Sequence, residues 1–216
     1  MDLQPIDYEA DGRAFTGWLA DGSGGRPAPG VLVIHEGGGL TGHARARAAR
    51  LAEHGFVAFA MDLFGEPGAD LDRAREITRY LRDNVGALRE RCRAALGVVR
   101  AQPGVDSARL AAIGYCIGGA AAIELARDGA DLACTVGFHA GFIESPPAAV
   151  IRARKASRCT AVTTGSSAPW QSSSLPPIAR SSAAGGDSMK PAWKPTIQAR
   201  SAPSRASSIA AAPPMQ

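Results

Sequence analysis

Apolar and polar positions along the first 150 residues follow two periods, and the switches between them mark the elements. Residues 3–19 carry two short alternating runs around Ala10-Asp11-Gly12-Arg13. Asp-Gly is a strong turn signal, so a β-hairpin is predicted there. The unbroken apolar runs Val31–Ile34 and Val57–Met61 read as strands buried on both faces. Between them, Thr41–His54 places Ala, Arg and Leu at helical spacing and stops at Gly55, a C-cap residue. Asp70–Arg82 and Val85–Ala101 read as two more helices, and Gln102-Pro103-Gly104 ends the second. A third apolar run, Leu110–Ile113, leads through a glycine-rich turn into the helical stretch Ala120–Ala126. Ala133–Phe138 reads as the next strand. Strands alternating with helices imply an α/β fold: a mostly parallel sheet with helices on both faces and right-handed crossovers. Ligands of such sheets bind at the carboxyl ends of the strands.

The pattern stops near residue 150, and composition changes with it. Residues 1–150 carry 15 Lys+Arg and 19 Asp+Glu, a net charge of −4. Residues 151–216 carry 9 Lys+Arg and one acid, Asp187, a net of +8. This second stretch holds 13 Ser and 8 Pro, and no period of 2 or 3.6 long enough to form an element. The expected organisation is a domain over 1–150 and a disordered, basic, Ser/Ala/Pro-rich tail over 151–216. The tail's charges are scattered and its tryptophans, Trp170 and Trp193, form no aromatic pattern, so no nucleic-acid partner is expected. There is no apolar run of 18 residues and no basic, apolar start, so neither a membrane span nor a signal peptide is expected. Cys92, Cys116, Cys134 and Cys159 show no metal or disulfide spacing. No metal and no cofactor are expected, and a reducing cytoplasm suits a free thiol.

The candidate chemistry lies in Gly114-Tyr115-Cys116-Ile117-Gly118-Gly119. Strand, G-x-C-x-G, helix is the layout of a nucleophile elbow, a turn sharp enough to stand its apex side chain above the sheet. Glycines flank the apex because a Cβ there would strike the neighbouring strand or helix. The positive end of the following helix favours thiolate. The bland alternative is a glycine-rich turn with an ordinary half-buried cysteine. Glu36 follows the Val31–Ile34 strand almost directly, an unusual place for a carboxylate unless it is paired or functional. It could equally be a helix-cap or salt-bridge partner. Gly37-Gly38-Gly39 would let backbone approach a substrate closely, or is a plain flexible loop. Asp62 reads as a residue that orders its own loop.

Three marks in order carry a family resemblance: the Glu36 loop, Asp62-Leu63-Phe64-Gly65, and the G-x-C-x-G-G turn. Over residues 1 to about 150 the chain resembles the dienelactone hydrolase family, a branch of the α/β-hydrolases. The resemblance implies a hydrolase that cleaves small lactones or carboxylic esters. Cys116 would be the nucleophile, forming a thioacyl intermediate, and Glu36 would interact with its thiol and control its protonation. The backbone N–H groups of Ile117 and Gly37 would form the oxyanion hole. Family substrates are often held by arginines through a carboxylate. Arg73, Arg75, Arg79 and Arg82 lie in the corresponding region, or form a solvated helix face.

The chain departs from the family after the elbow. A family-type triad runs nucleophile, acid, histidine, yet only His139 of four histidines follows Cys116. His35 reads as a loop residue, His43 as helical surface and His54 as a helix end. Glu124 and Asp128 read as a helix face. Back-translation of Ala156–Ala168 with G- or C-ending codons, read from each third base, permits V-A-[LV]-H-G-G-D-D-R-L-V-G. The same frame across Lys190–Arg200 permits A-G-V-E-A-D-Y-P-G-A. Both resemble family segments in the right order, so the tail reads as frameshifted and the C-terminal part of the fold as truncated or scrambled. Two readings of function follow: an active hydrolase working through Cys116, or an inactive hydrolase fold lacking the triad acid and histidine.

Overall fold

A computed structural model describes residues 2–141, residue 143 and the backbone of residues 159–163. Strands β1 (Gln4–Ala10) and β2 (Arg13–Asp21) form the expected hairpin, turning at Asp11 and Gly12, both at positive φ. Strands β3 (Ala28–Ile34), β4 (Val57–Met61), β5 (Val105–Tyr115), β6 (Cys134–Phe138) and β7 (Cys159–Thr163) complete the sheet. Its order is β1-β2-β4-β3-β5-β6-β7. The hairpin joins β4 antiparallel, and β4, β3, β5, β6 and β7 run parallel to their neighbours. The mixed, mostly parallel sheet carries helices on both faces, as the alternation predicts. One strand departs from expectation. β7 falls beyond residue 150, within the stretch that reads as patternless, because pairing along β6 supplies what five residues of local pattern do not. The disorder expected for the rest of 151–216 lies outside the described residues.

Helix α1 (Gly42–Glu53) covers one face, and α2 (Leu71–Asp83), α3 (Val85–Arg100) and α4 (Ile117–Arg127) cover the other. Strand periodicity sorts the side chains. Val31, Val33, Ala58 and Ala60 pack under Ala44, Ala48 and Ala52 of α1, a face of small residues that brings the helix close. Leu32, Ile34, Phe59 and Met61 point the other way, into the larger core beneath α2, α3 and α4. Thr41 caps α1 through its hydroxyl, and Asp70 caps α2 through its carboxylate. Among the described residues no helix is long and apolar enough to cross a membrane.

A fully buried arginine ties the hairpin to the top of β4. Arg91 donates to Asp11 Oδ2 at 2.8 Å and to the Leu63 and Phe64 carbonyls at 3.0 and 3.3 Å. Its neighbour Asp62 accepts the Phe64 and Gly65 N–H groups at 2.9 and 3.1 Å, so its carboxylate orders the loop. Burial pushes the Asp62 carboxyl up, but the adjacent His35 ring, together with these two N–H donors, brings it below its usual range. His35 Nε2 stands 3.7 Å from Asp62 but accepts the Leu63 N–H at 3.0 Å. Its Nδ1 lies 2.6 Å from the Glu36 carbonyl, which can only accept. The His35 ring thus joins the ends of β3 and β4.

Candidate active site

The β5–α4 turn has the geometry of an elbow. Cys116 sits at φ +55° and ψ −117°, a conformation costing a non-glycine residue about 1–3 kcal/mol. Its N–H donates to Phe138 O of β6 at 3.0 Å, and its carbonyl accepts from Gly119 and Ala120 at 3.1 and 3.2 Å. The backbone thus begins α4 while the residue stands exposed. The flanking glycines are steric necessities. A Cβ on Gly114 would lie 1.9 Å from Gly118 O, and one on Gly118 would lie 2.4 Å from His35 O. One on Gly119 would meet the Ala140 Cβ at 2.9 Å. The first turn of α4 is therefore pressed against the end of β3. Ile117, whose N–H is a first-turn helix donor, thus precedes the glycine that packs on the Ile34 and His35 carbonyls at the end of β3.

Glu36 is not unpaired at this loop. Its carboxylate lies 3.1 Å from His43 Nδ1 and 3.4 Å from the Thr41 hydroxyl, which donates to it. Partial burial pushes the Glu36 carboxyl up, but its own backbone N–H and the His43 hydrogen bond outweigh this and hold it below the usual carboxylate range. The resemblance implies an interaction with the Cys116 thiol; the structure shows Glu36 hydrogen-bonded to Thr41 and His43 at the start of α1. Gly37 has nothing within 4 Å of a built Cβ. The Glu36 carbonyl accepts from Gly39 N–H at 3.1 Å, turning the loop back toward α1.

His43 adds to the sequence reading. Its position in α1 reads as helical surface, yet it lines a cavity of about 630 Å³ with Glu36, Arg47, Tyr115, Phe138 and His139. Its ring packs edge-on against Tyr115, at 4.8 Å between centroids, and Tyr115 stacks on Phe138 at 5.0 Å. Arg47 Nε donates to His43 Nε2 at 3.2 Å. The signal in the sequence was a carboxylate and an imidazole seven residues apart across a Gly-Gly-Gly turn. His139 lines the same cavity and has φ +39°, a second strained non-glycine residue beside the elbow. A separate cavity of about 430 Å³ lies across the glycine loop, with Trp18, Arg45 and Asp62 in its wall.

Other candidates pair with neighbouring charges. Glu124, read as a helix face, is buried and held by Arg89 at 2.7 Å and Arg127 at 2.6 Å. Arg73 pairs with Glu66 and Glu76, and Arg75 with Asp72. Burial pushes the Cys92 thiol up to about 12. Among the described residues no three His, Cys, Asp or Glu side chains cluster to hold a metal ion.

Comparison with known proteins agrees with this architecture. Residues 15–168 match the model of the dienelactone hydrolase family. A carboxymethylenebutenolidase of Pseudomonas sp. (strain P51) is 33% identical over 149 residues, 63% of this chain and 60% of that protein. The solved structure m3DLH is 44% identical with a TM-score of 0.64, over 68% of this chain and 62% of that one. A dienelactone hydrolase-like promiscuous phosphotriesterase from metagenomic libraries is 34% identical with a TM-score of 0.66, over 74% of this chain and 67% of that one. The match thus spans 60% of the curated relative's length.

Proposed function

The chain belongs to the dienelactone hydrolase family, and from that premise we propose that it hydrolyses small lactones or carboxylic esters through Cys116. One observation carries the reading: an exposed cysteine held at φ +55° between glycines that admit no Cβ. The Cys116 thiolate attacks the substrate carbonyl, and the oxyanion that forms meets the N–H groups of Ile117 and Gly37. The intermediate collapses with cleavage of the C–O bond, the alkoxide takes a proton from water, and a second water hydrolyses the thioester, returning the thiol and a carboxylic acid. Free thiols at Cys92, Cys116 and Cys134 support a reducing, cytoplasmic setting.

The test is turnover of p-nitrophenyl acetate and a small lactone. Cys116→Ala lowers kcat/KM by about a thousandfold or more. The second reading is an inactive hydrolase fold, to which the exposed His139 would contribute nothing. It requires background rates from both wild type and Cys116→Ala.

A further inference from the structure

The cavity of about 430 Å³ across the glycine loop is lined by neither Cys116 nor His43. Its walls are mostly apolar: Trp18 of β2, Leu40 before α1, and Pro67 and Ala69 after β4. Glycines complete it. A Cβ on Gly68 would meet nothing within 4 Å, and one on Gly38 would meet only Thr41 Cγ2, at 3.9 Å. Backbone is therefore open to a flat ligand, and the volume is that of a small-molecule site.

One charge in this wall is unused. Half-buried Arg45 enters from α1, its guanidinium 5.0 Å from the centre of the Trp18 ring. Its Nη2 donates to the Leu40 carbonyl at 3.4 Å, a long bond, and its buried Nε–H meets no acceptor among the described residues. Arg13, Arg73 and Arg91 are all paired with carboxylates. A guanidinium is a planar fork of N–H donors that fits a carboxylate. Arg45 has its fork held against the indole and lacks the acceptor. Asp62 and Glu66 also line the cavity, but both are engaged. Asp62 accepts the Phe64 and Gly65 N–H groups, and Glu66 accepts from Arg13 and Arg73. Their negative charge discriminates against a ligand with more than one.

We propose that this cavity binds a small aromatic monocarboxylate, its carboxylate on Arg45 and its ring among Trp18, Leu40 and Pro67. The carboxylate supplies the acceptors that Arg45 lacks, and the ring covers the apolar wall. A single negative charge suits a cavity that holds one unpaired cation beside two engaged acids. The site stands whether or not Cys116 is a nucleophile, because no residue of the elbow lines it.

The experiment is isothermal titration of the full chain near neutral pH with benzoate, and separately with benzyl alcohol, benzamidine and inorganic phosphate. Benzoate should bind saturably with a Kd below about 1 mM, and the other three should not bind in the same range. Arg45→Gln should weaken benzoate binding by about 10- to 100-fold. Arg45→Lys, which keeps the charge without the fork, should fall between. Thr16→Phe fills the cavity from an exposed position of β2 with Arg45 intact, and should abolish binding. Thermal melts followed by circular dichroism confirm folding, and Thr16→Phe decides the matter if Arg45→Gln does not fold. Cys116→Ala, and Arg47→Gln in the wall of the other cavity, should bind benzoate like wild type. Benzoate that does not bind saturably overturns the proposal. So does binding of benzamidine or phosphate as tight as that of benzoate, or wild-type affinity in Arg45→Gln or Thr16→Phe. Loss of binding in Cys116→Ala or Arg47→Gln would place the ligand elsewhere and overturn it too. A chain without esterase activity that still binds benzoate through Arg45 defeats the hydrolase reading and leaves this site in place.

Discussion

Two glycine clusters meet at the carboxyl edge of this sheet, and they are glycine-rich for opposite reasons. Around Cys116 the glycines are filled from outside: carbonyl oxygens of Gly118 and His35 stand 1.9 and 2.4 Å from where a Cβ would be. In the Gly37-Gly38-Gly39 loop they are surrounded by room. Gly37 meets nothing within 4 Å, and the nearest atoms to Gly38 and Gly39 are at 3.9 and 3.7 Å. The elbow's glycines belong to the packing of β5, α4 and the end of β3. The loop's glycines leave space, which the proposed function would use for substrate. Identical composition thus serves the fold in one place and access in the other.

Substitution separates the two most sharply at the elbow. Gly114→Ala or Gly118→Ala drives a methyl into backbone that cannot retreat. Each should cost about 3 kcal/mol or more, read from urea unfolding, or prevent folding. Unchanged stability in either variant would dissolve the distinction. Gly37→Ala should keep stability within about 0.5 kcal/mol. It should still lower kcat/KM for p-nitrophenyl acetate by roughly 10- to 100-fold, because under the proposed function the methyl would crowd the space beside the Gly37 N–H. Full activity in that variant would reduce the loop to a connector.

A smaller effect probes the strain itself. Cys116→Gly should be more stable than Cys116→Ala by about 1 kcal/mol, since only glycine adopts φ +55° freely. Equal melting of the two would mean that the apex stores no strain. The smallest expected effect is that of pH. Glu36 and Asp62 both titrate below their usual range in the folded protein. Their stabilisation is therefore complete above the ordinary carboxylate range and is lost as pH falls through their depressed values. Unfolding followed from pH 6 downward should show stability declining below about pH 4. Glu36→Gln, on the access side, should flatten that decline less than Asp62→Asn, whose carboxylate is nearly buried.

The elbow was legible because its chemistry is local. Gly114, Cys116, Gly118 and Gly119 are fixed by one turn, and the strand and helix on either side announce themselves by period. The buried faces of β3 and β4 were legible for the same reason. The place of His43 in a cavity wall was not, because it depends on where a glycine turn returns the chain, and helical spacing alone sets it among exposed arginines. Glu124 misled in the reverse direction: a carboxylate on a charged helix face is buried because Arg89 and Arg127 close over it. β7 escaped notice because Cys159–Thr163 lies between stretches of arginine, serine and glycine, and its strand character comes from β6.

Competitive alkylation tests the central claim most directly. Native protein is treated near neutral pH with limiting iodoacetamide, quenched at intervals and mapped by peptide. An elbow that presents a nucleophile predicts that Cys116 is carboxamidomethylated first, ahead of the half-exposed Cys134. Cys92, buried with its thiol pushed up to about 12, should label only on unfolding. Labelling of Cys92 or Cys134 at least as fast as Cys116 would contradict the account.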